Sequence, residues 1–275
     1  MGTRDGVTQL QRRWRPGSES DTRSAIVLVH GLGEHSGCYE NTGRYLAEQG
    51  HDVVAFDNRG FGQSGGRRGH IDRFDTYLDD VEDLVVERRQ SGLPVVLLGH
   101  SLGGLIATSY VVAGRPAPDV LVLSAPALEA NLPRWKRAAA PLLGRLTPKL
   151  FIPTDFEATI LTRDPELQPT YAEDDLRVRG STPRLGEESF QAMRDVAEQL
   201  HKITMPTYVL HGGEDELVPP AVSRPLAALP NVTYRLWPEL RHECFNEIER
   251  LDVLGELTGW LDTVLANIDR SPQRA

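Results

Sequence analysis

The serine in the run Gly99-His-Ser-Leu-Gly103 is the residue of this chain most suited to chemistry. A serine hydroxyl becomes a nucleophile when a base takes its proton, and Gly-x-Ser-x-Gly is typical of a sharp turn that exposes such a hydroxyl. An apolar stretch, Val95–Leu98, precedes the turn, and a helix-compatible segment, 105–112, follows it. Strand, turn and helix are the context that this motif requires. We therefore predict Ser101 as a nucleophile rather than an incidental serine in a glycine-rich turn.

An acid and a base follow the serine in the chain order Ser, Asp, His, which hydrolases built on such a turn use. Asp215 lies just after a predicted strand, Thr207–Leu210, and His242 lies after another, Val232–Leu236. An imidazole can take the serine proton, and a carboxylate can fix the imidazole tautomer. We therefore predict His242 as the base and Asp215 as the acid.

Other residues compete for these two roles. The chain has eight histidines. His100 precedes the nucleophile, and at so tight a turn its side chain should point away from the hydroxyl. His30 and His211 end buried strands, so we expect them to be hydrogen-bonded structural residues. The rivals of the predicted acid are Glu214 and Glu216.

Acyl transfer also needs N–H groups that stabilise an oxyanion. One donor should be the backbone N–H of Leu102, directly after the nucleophile. The second should come from the loop after the first buried strand, Ala25–Val29, where Leu32 is the candidate. Glycines on both sides of Leu32 are equally compatible with a plain tight turn.

Strand-like and helix-like segments alternate around these residues. The predicted strands are 25–29, 52–56, 95–98, 120–123, 207–210 and 232–236, and the predicted helices are 40–49, 75–90, 105–112, 221–229 and 248–265. This alternation predicts an α/β fold with a mostly parallel central sheet flanked by helices. Residues 8–14 should add an antiparallel edge strand.

Residues 127–203 interrupt the alternation. They are rich in Pro and Arg, hold several short helical patterns without a clear strand, and carry too many large apolar side chains for disorder. We expect residues 1–126 and 204–275 to form the α/β core. The segment 127–203 should be a helical cap, or lid, inserted into that core.

Part of this cap, residues 131–150, is basic in an otherwise acidic protein. Its basic residues are Arg134, Lys136, Arg137, Arg145 and Lys149, and its large apolar residues are Leu132, Trp135, Leu142, Leu143 and Leu146. One interpretation is a mobile lid that contacts a lipid surface. The other is a cap helix that packs on the core and leaves its arginines in water.

Composition narrows the classes of function. The net charge of the 275-residue chain is −9, which disfavours a nucleic-acid partner. The two cysteines, Cys38 and Cys244, are expected to be free thiols, although the sequence also allows a bridge between them. No signal peptide or membrane-spanning run is evident, so we expect a soluble, cytoplasmic protein with at most peripheral membrane association. No metal-ligand spacing is present, and we expect neither a metal nor another cofactor.

Several motifs extend beyond the catalytic residues. They are His30–Gly37 followed by Tyr39, Asp57–Ser64, Gly99–Gly104, Leu123–Pro126, Arg163–Pro165 with Tyr171 and Asp175, His211–Pro219, and His242–Glu243 with Asn246–Glu247. With them the chain resembles the serine hydrolases of the α/β-hydrolase superfamily. More narrowly, it resembles the monoacylglycerol lipases and their lysophospholipase-like relatives.

The resemblance implies a catalytic triad and the surroundings of a glycerol head group. The triad would be Ser101, Asp215 and His242, the oxyanion donors Leu32 and Leu102, and the residues near the glycerol Glu34 and Tyr171. It also implies hydrolysis of a monoacylglycerol to fatty acid and glycerol through an acyl-enzyme, without a cofactor. Two positions depart from the family: Cys38 stands where an arginine is common, and Phe245 where a histidine is common.

Three alternatives remain open at this point. The same triad could serve a lysophospholipase or a carboxylesterase for short or medium acyl chains. It could also act on thioesters or on C–C bonds. A catalytically silent, hydrolase-like binding module is the alternative from another class, although every catalytic position holds a competent residue.

Overall fold

Runs of aliphatic residues form the centre of the fold. The computed structural model describes residues 3–18, 21–129 and 142–269. Its strands are β1 (Gln11–Trp14), β2 (Ser24–Val29), β3 (His51–Phe56), β4 (Val95–His100), β5 (Val120–Ser124), β6 (Ile152–Pro153), β7 (Gly180–Ser181), β8 (Thr207–Gly212) and β9 (Val232–Trp237). Every residue of β2, β3, β4, β5 and β8 is buried, as expected of a parallel sheet covered on both faces.

Seven of these strands form one sheet in the order β1-β3-β2-β4-β5-β8-β9. Only β1 is antiparallel to its neighbour, with Gln11 opposite Phe56, and the other neighbours run parallel. The carboxyl ends of β4, β8 and β9 therefore lie at the same edge of the sheet. The predicted parallel sheet and its antiparallel edge strand are confirmed.

Helices cover both faces of the sheet. They are α1 (Glu40–Glu48), α2 (Asp75–Arg89), α3 (Leu102–Val112), α4 (Ala158–Leu161), α5 (Gln168–Glu173), α6 (Pro183–Gln199), α7 (Arg224–Ala227) and α8 (Arg250–Asp269). Alternate residues of a strand face opposite sides. Val27 therefore packs with α2 and α3 side chains such as Leu84 and Leu105, whereas Ile26 and Leu28 pack with those of α1 and α8.

Two helices differ from the prediction: one is broken into two short pieces, and one begins earlier. Instead of one helix over 221–229, a 3₁₀ turn, Pro220–Ser223, leads into the four-residue α7. Pro225 stands in the first turn of α7, where no intrahelical bond needs its missing backbone N–H. In the middle of a longer helix the same proline would break the hydrogen-bond pattern, so the helix begins here instead of continuing from residue 221. Helix α3 begins at Leu102, directly after the nucleophile turn and before the predicted residue 105.

The segment between β5 and β8 contains short elements and one long helix. A helical stretch over 142–146, α4 and α5 precede the 17-residue α6. The prediction of no strand here is wrong in one detail, because β6 and β7 pair antiparallel, with Ile152 opposite Ser181. Strands of two residues are too short to show an alternating pattern in the sequence. The part of the basic segment that carries Leu132, Arg134, Trp135, Lys136 and Arg137 lies outside the described residues.

Two further observations concern the whole chain. Cys38 and Cys244 are both free thiols, as predicted. Within the described ranges, no helix is long and apolar enough to cross a bilayer.

Candidate active site

Ser101 stands at a strained turn between β4 and α3. Its φ of 53° and ψ of −117° lie in a region that residues with a Cβ rarely adopt. Two backbone bonds of 3.0 Å hold it there, from Ser101 N–H to Ser124 O and from Ala127 N–H to Ser101 O. A Cβ at Gly99 would lie 2.3 Å from Gly103 O, and one at Gly103 would lie 2.0 Å from Val29 O. Both positions therefore require glycine, as the sequence motif predicts.

Asp215 and His242 lie on loops beyond β8 and β9. His242 Nδ1 is 2.7 Å from Asp215 Oδ2. The other carboxylate oxygen, Oδ1, accepts hydrogen bonds from the backbone N–H groups of Leu217 at 3.0 Å and Val218 at 2.8 Å. Glu214 and Glu216, the rivals of the acid, are exposed, whereas Asp215 is buried. The structure thus pairs His242 with Asp215.

A second imidazole contacts the same carboxylate. His211 Nε2 lies 3.3 Å from Asp215 Oδ2 and 2.7 Å from Val218 O, and its Nδ1 lies 2.9 Å from Ser223 Oγ. Because both neighbours of Nε2 are acceptors, this nitrogen carries the proton. Burial alone would raise the pKa of Asp215, but the hydrogen bonds from His211 and His242 hold it below its ordinary value. The carboxylate therefore stays ionised beside His242.

His30 and His100 also lie near the site. The prediction that His30 is hydrogen-bonded and structural is confirmed, because its Nε2 accepts a bond of 2.8 Å from Asn58 N–H. The His100 ring lies against that of His242, with 4.8 Å between ring centroids, and its Nδ1 is 3.2 Å from Ser124 Oγ. Burial, followed by the proximity of His242, lowers the pKa of His100 well below its ordinary value. His100 is therefore a neutral neighbour of His242.

The loop after β2 approaches Ser101. A Cβ added to Gly31 would lie 3.0 Å from Ser101 Cβ. Leu32 follows in this loop and lines the same cavity as Ser101 and Leu102, the first residue of α3. The first N–H groups of a helix have no partner within it. The structure thus brings both predicted oxyanion donors to the cavity that contains the serine.

This cavity has a volume of about 500 Å³, within the range of cavities that bind small molecules. Ser101 and His242 both line it. Most of its wall is apolar and comes from the segment between β5 and β8, including Phe156, Leu161, Leu185, Phe190 and Met193. An apolar wall beside a nucleophile can hold an acyl chain.

One end of the cavity is polar, and we call it the polar end: Glu34, Tyr171, Arg177 and Glu243. The Tyr171 hydroxyl donates to Glu243 Oε2, and the Arg177 guanidinium lies over the Tyr171 ring, 4.0 Å from its centroid. Glu34 Oε1 accepts from Gly31 N–H at 2.8 Å. The structure therefore brings the two residues predicted near the alcohol, Glu34 and Tyr171, to one region.

Sequence reasoning missed three residues: His211 as a contact of Asp215, and Arg177 and Glu243 in the polar end. Glu243 carried a usable signal, since it is an acid directly after the predicted base. Arg177 had no recognisable signal in the sequence, because it lies in an irregular stretch between α5 and β7.

Among the described residues, one cluster has ligand types suited to a metal ion. Single atoms of His35, Cys38 and Asp174 lie within 4.8 Å of one another. Arg177 opposes a cation there, since its guanidinium lies 3.5 Å from Cys38 Sγ and 3.8 Å from Asp174 Oδ2. Burial also raises the pKa of the Cys38 thiol to about 12, which disfavours the thiolate form that metal ions prefer.

Comparison with known proteins supplies the family. A family model described as serine aminopeptidase, S33 (Hydrolase_4) matches residues 20–249. The chain belongs to this family. It is a serine hydrolase of the α/β-hydrolase superfamily, and the resemblance seen in the sequence is confirmed.

Several proteins similar to this chain are named as lipases or phospholipases. The chain is 33% identical to a monoacylglycerol lipase of Mycolicibacterium smegmatis over 264 residues, which cover 93% of each protein. It is 31% identical to the phospholipase YtpA of Bacillus subtilis over 87% of this chain and 95% of that one. The crystal structure of a monoacylglycerol lipase from Paleococcus ferrophilus superposes with a TM-score of 0.82, at 29% identity, over 92% of this chain and 98% of that one.

Proposed function

We propose that this serine hydrolase cleaves a monoacylglycerol into a fatty acid and glycerol through an acyl-enzyme on Ser101. The observation that carries the proposal is the Asp215–His242 hydrogen bond of 2.7 Å at an apolar cavity that also contains the strained Ser101. The monoacylglycerol lipases among the relatives support the choice of substrate.

In the first half of the reaction, the Ser101 hydroxyl attacks the ester carbonyl and His242 takes its proton at Nε2. Asp215 accepts a hydrogen bond from His242 Nδ1–H, so the neutral imidazole presents a basic Nε2. The negative charge of Asp215 then stabilises the imidazolium that forms. The backbone N–H groups of Leu32 and Leu102 donate to the oxyanion. His242 then returns the proton to the leaving alcohol, and glycerol departs.

In the second half, water repeats the cycle on the acyl-enzyme. His242 removes a proton from the water, the hydroxide attacks the acyl carbonyl, and the same donors stabilise the second oxyanion. Return of the proton to Ser101 releases the fatty acid and restores the enzyme. Apart from water and the substrate, all groups that these steps use belong to the chain.

We also propose that residues 127–203 act as a cap over the α/β core formed by 1–126 and 204–275. The described part of this segment forms most of the cavity wall. Backbone bonds tie it to the core on both sides of the site, from Val178 N–H to Gly33 O and from Glu243 N–H to Leu161 O, each 2.9 Å long.

The cap would also contact a lipid surface, which would make the protein peripherally membrane-associated. Large apolar side chains are exposed along this stretch: Leu142, Leu143, Leu146, Leu150, Phe151 and Ile152. Arg145 and Lys149 are exposed among them, which suits an anionic interface. If this proposal holds, replacing both Leu146 and Leu150 by Ser should lower hydrolysis of micellar monoacylglycerol about threefold or more, since each leucine contributes apolar contact. Hydrolysis of a water-soluble butyrate ester should stay the same, and equal rates on micelles would contradict the lipid contact.

A lysophospholipase activity is the second candidate, because one relative is named a phospholipase. The deciding experiment measures kcat/KM on one acyl chain joined to different alcohols: a monoacylglycerol, a lysophosphatidylcholine, a methyl ester and a p-nitrophenyl ester. We expect the monoacylglycerol to be preferred. Preference for the lysophospholipid would favour the second candidate, and activity on the p-nitrophenyl ester alone would indicate a general carboxylesterase.

A further inference from the structure

Three buried charged side chains line the polar end of the cavity. Glu34 comes from the loop after β2, Arg177 from the stretch after α5, and Glu243 from the position after His242. Their side chains are 5%, 12% and 4% exposed. Buried charges are costly unless they are paired. Two carboxylates around one guanidinium therefore form an arrangement that packing alone does not explain.

Glu243 is the fixed anion of this group. Its Oε2 accepts hydrogen bonds from the Tyr171 hydroxyl and from Asn246 Nδ2, the latter at 2.8 Å. Its Oε1 lies 3.6 Å from an Arg177 NH2 nitrogen. These contacts hold Glu243 in one position and pair its charge.

Arg177 is held in place without saturating its donors. Among the described residues its nearest acceptors are Cys38 Sγ at 3.5 Å, Glu243 Oε1 at 3.6 Å and Asp174 Oδ2 at 3.8 Å. The bond to Cys38 Sγ has an ordinary length for a sulfur acceptor. The two carboxylate contacts exceed an ordinary N–H···O hydrogen bond, and a guanidinium has five N–H donors. Stacking on Tyr171 and attraction to the carboxylates fix the group, so it retains N–H donors for a ligand.

Glu34 has an oxygen that lacks a partner. Its Oε1 accepts from Gly31 N–H and from the Tyr39 hydroxyl at 3.3 Å, whereas Oε2 is buried and has no hydrogen-bond partner among the described residues. Burial and the nearby Glu243 raise the pKa of Glu34 to about 8. At neutral pH this side chain is therefore mostly an uncharged acid that can both donate and accept a hydrogen bond.

We propose that Arg177 and Glu243, together with Glu34, form the recognition site for the leaving alcohol and select an uncharged polyol. This inference rests on the proposed function. With Glu34 neutral, the carboxylates of Glu243 and Asp174 flank the positive Arg177, so the site presents no uncompensated positive charge to an anionic head group. Hydroxyls of the alcohol would accept hydrogen bonds from the remaining N–H donors of Arg177. A phosphate diester would instead approach the Glu243 carboxylate.

The Arg177 guanidinium also contacts the sulfur of Cys38. The backbone bond from the next residue, Val178, to Gly33 O holds this cation beside the loop that carries Leu32.

The test compares kcat/KM for a 1-monoacylglycerol with that for the methyl ester of the same fatty acid. In Arg177→Met and Glu243→Gln we expect the value for the monoacylglycerol to fall about tenfold or more beyond any fall for the methyl ester, as for lost hydrogen bonds to charged groups. Arg177→Lys should restore part of the ratio. Because both esters are measured on one preparation, partial unfolding lowers both rates and leaves their ratio unchanged.

Two controls match these variants in chemistry. Arg184→Met removes a cap arginine that pairs with Glu187 and Glu188 outside the cavity, and Glu239→Gln removes an exposed acid. Both should keep the wild-type ratio. Unchanged ratios in Arg177→Met and Glu243→Gln, with a wild type that prefers monoacylglycerol, would overturn this inference and leave the proposed function intact. A wild type without that preference would contradict the proposed function as well.

Discussion

Different kinds of interaction position the residues at the two ends of the cavity. At the end that we propose to be catalytic, which we call the catalytic end, backbone geometry places the groups, because Ser101, Asp215 and His242 follow β4, β8 and β9 at one edge of a parallel sheet. At the polar end, side-chain contacts place them, with Arg177 held between Tyr171 and a carboxylate of another segment. The difference suggests that the chemical step depends on the sheet, whereas the choice of alcohol depends on a few charges that can change independently.

Removing the nucleophile should have the largest effect, and it should not distinguish the two ends. We expect Ser101→Ala to lower kcat by about four orders of magnitude or more on every ester, because the oxyanion donors and binding alone retain little rate enhancement. Steady-state assays on the monoacylglycerol and the methyl ester check this. A variant that hydrolysed either ester at a near-normal rate would contradict the mechanism.

Backbone crowding at the catalytic end gives the next prediction. Gly103→Ala would place a Cβ 2.0 Å from Val29 O, so we expect the free energy of unfolding to fall by about 3 kcal/mol, with loss of activity on both esters. Gly259→Ala is the matched control, because this exposed helical glycine has no atom within 4 Å of an added Cβ. It should leave activity unchanged and stabilise the protein by about 0.5–1 kcal/mol. Equal stabilities of the two variants in denaturant titrations would show that the turn tolerates a side chain.

His211 should act at the catalytic end alone. Loss of its hydrogen bond to Asp215 in His211→Asn should reduce kcat about tenfold on both esters in parallel, since the carboxylate would orient His242 less well. The ratio of the two kcat/KM values should not change. A variant that altered the ratio instead would show that the two ends of the cavity are coupled.

The smallest predicted effect is a pH dependence confined to the polar end. Glu34, which faces Glu243, Arg177, Tyr39 and His100, is neutral below its raised pKa and negative above it. As the pH rises through about 8, the preference for monoacylglycerol over the methyl ester should therefore fall about threefold or more, because a second negative charge develops beside Glu243. In Glu34→Gln the ratio should be independent of pH, and a ratio that fell equally in this variant would assign the titration to another group.

The catalytic end could be predicted from the sequence because its signals are local. The Gly-x-Ser-x-Gly turn, the runs of buried aliphatic residues and the chain order of Ser101, Asp215 and His242 each follow from short stretches. No local pattern indicates Glu34 or Tyr171, and only the resemblance to a family predicted them as site residues.

The polar end could not be predicted in full, because its contacts join distant parts of the chain. Arg177 meets Glu243 only after the segment between β5 and β8 has folded over the core, and the irregular stretch around Arg177 has no periodicity. Likewise, the contact of His211 with Asp215 depends on how the loop after β8 turns back. A sequence shows the residue types but not these distances.

Labelling with a fluorophosphonate tests the central claim most directly, since this reagent forms a stable adduct with an activated serine. The account predicts one adduct per chain, located on Ser101 by peptide mass analysis, with ester hydrolysis lost in proportion to labelling. An adduct on another residue, or full hydrolysis of monoacylglycerol by completely labelled protein, would contradict it.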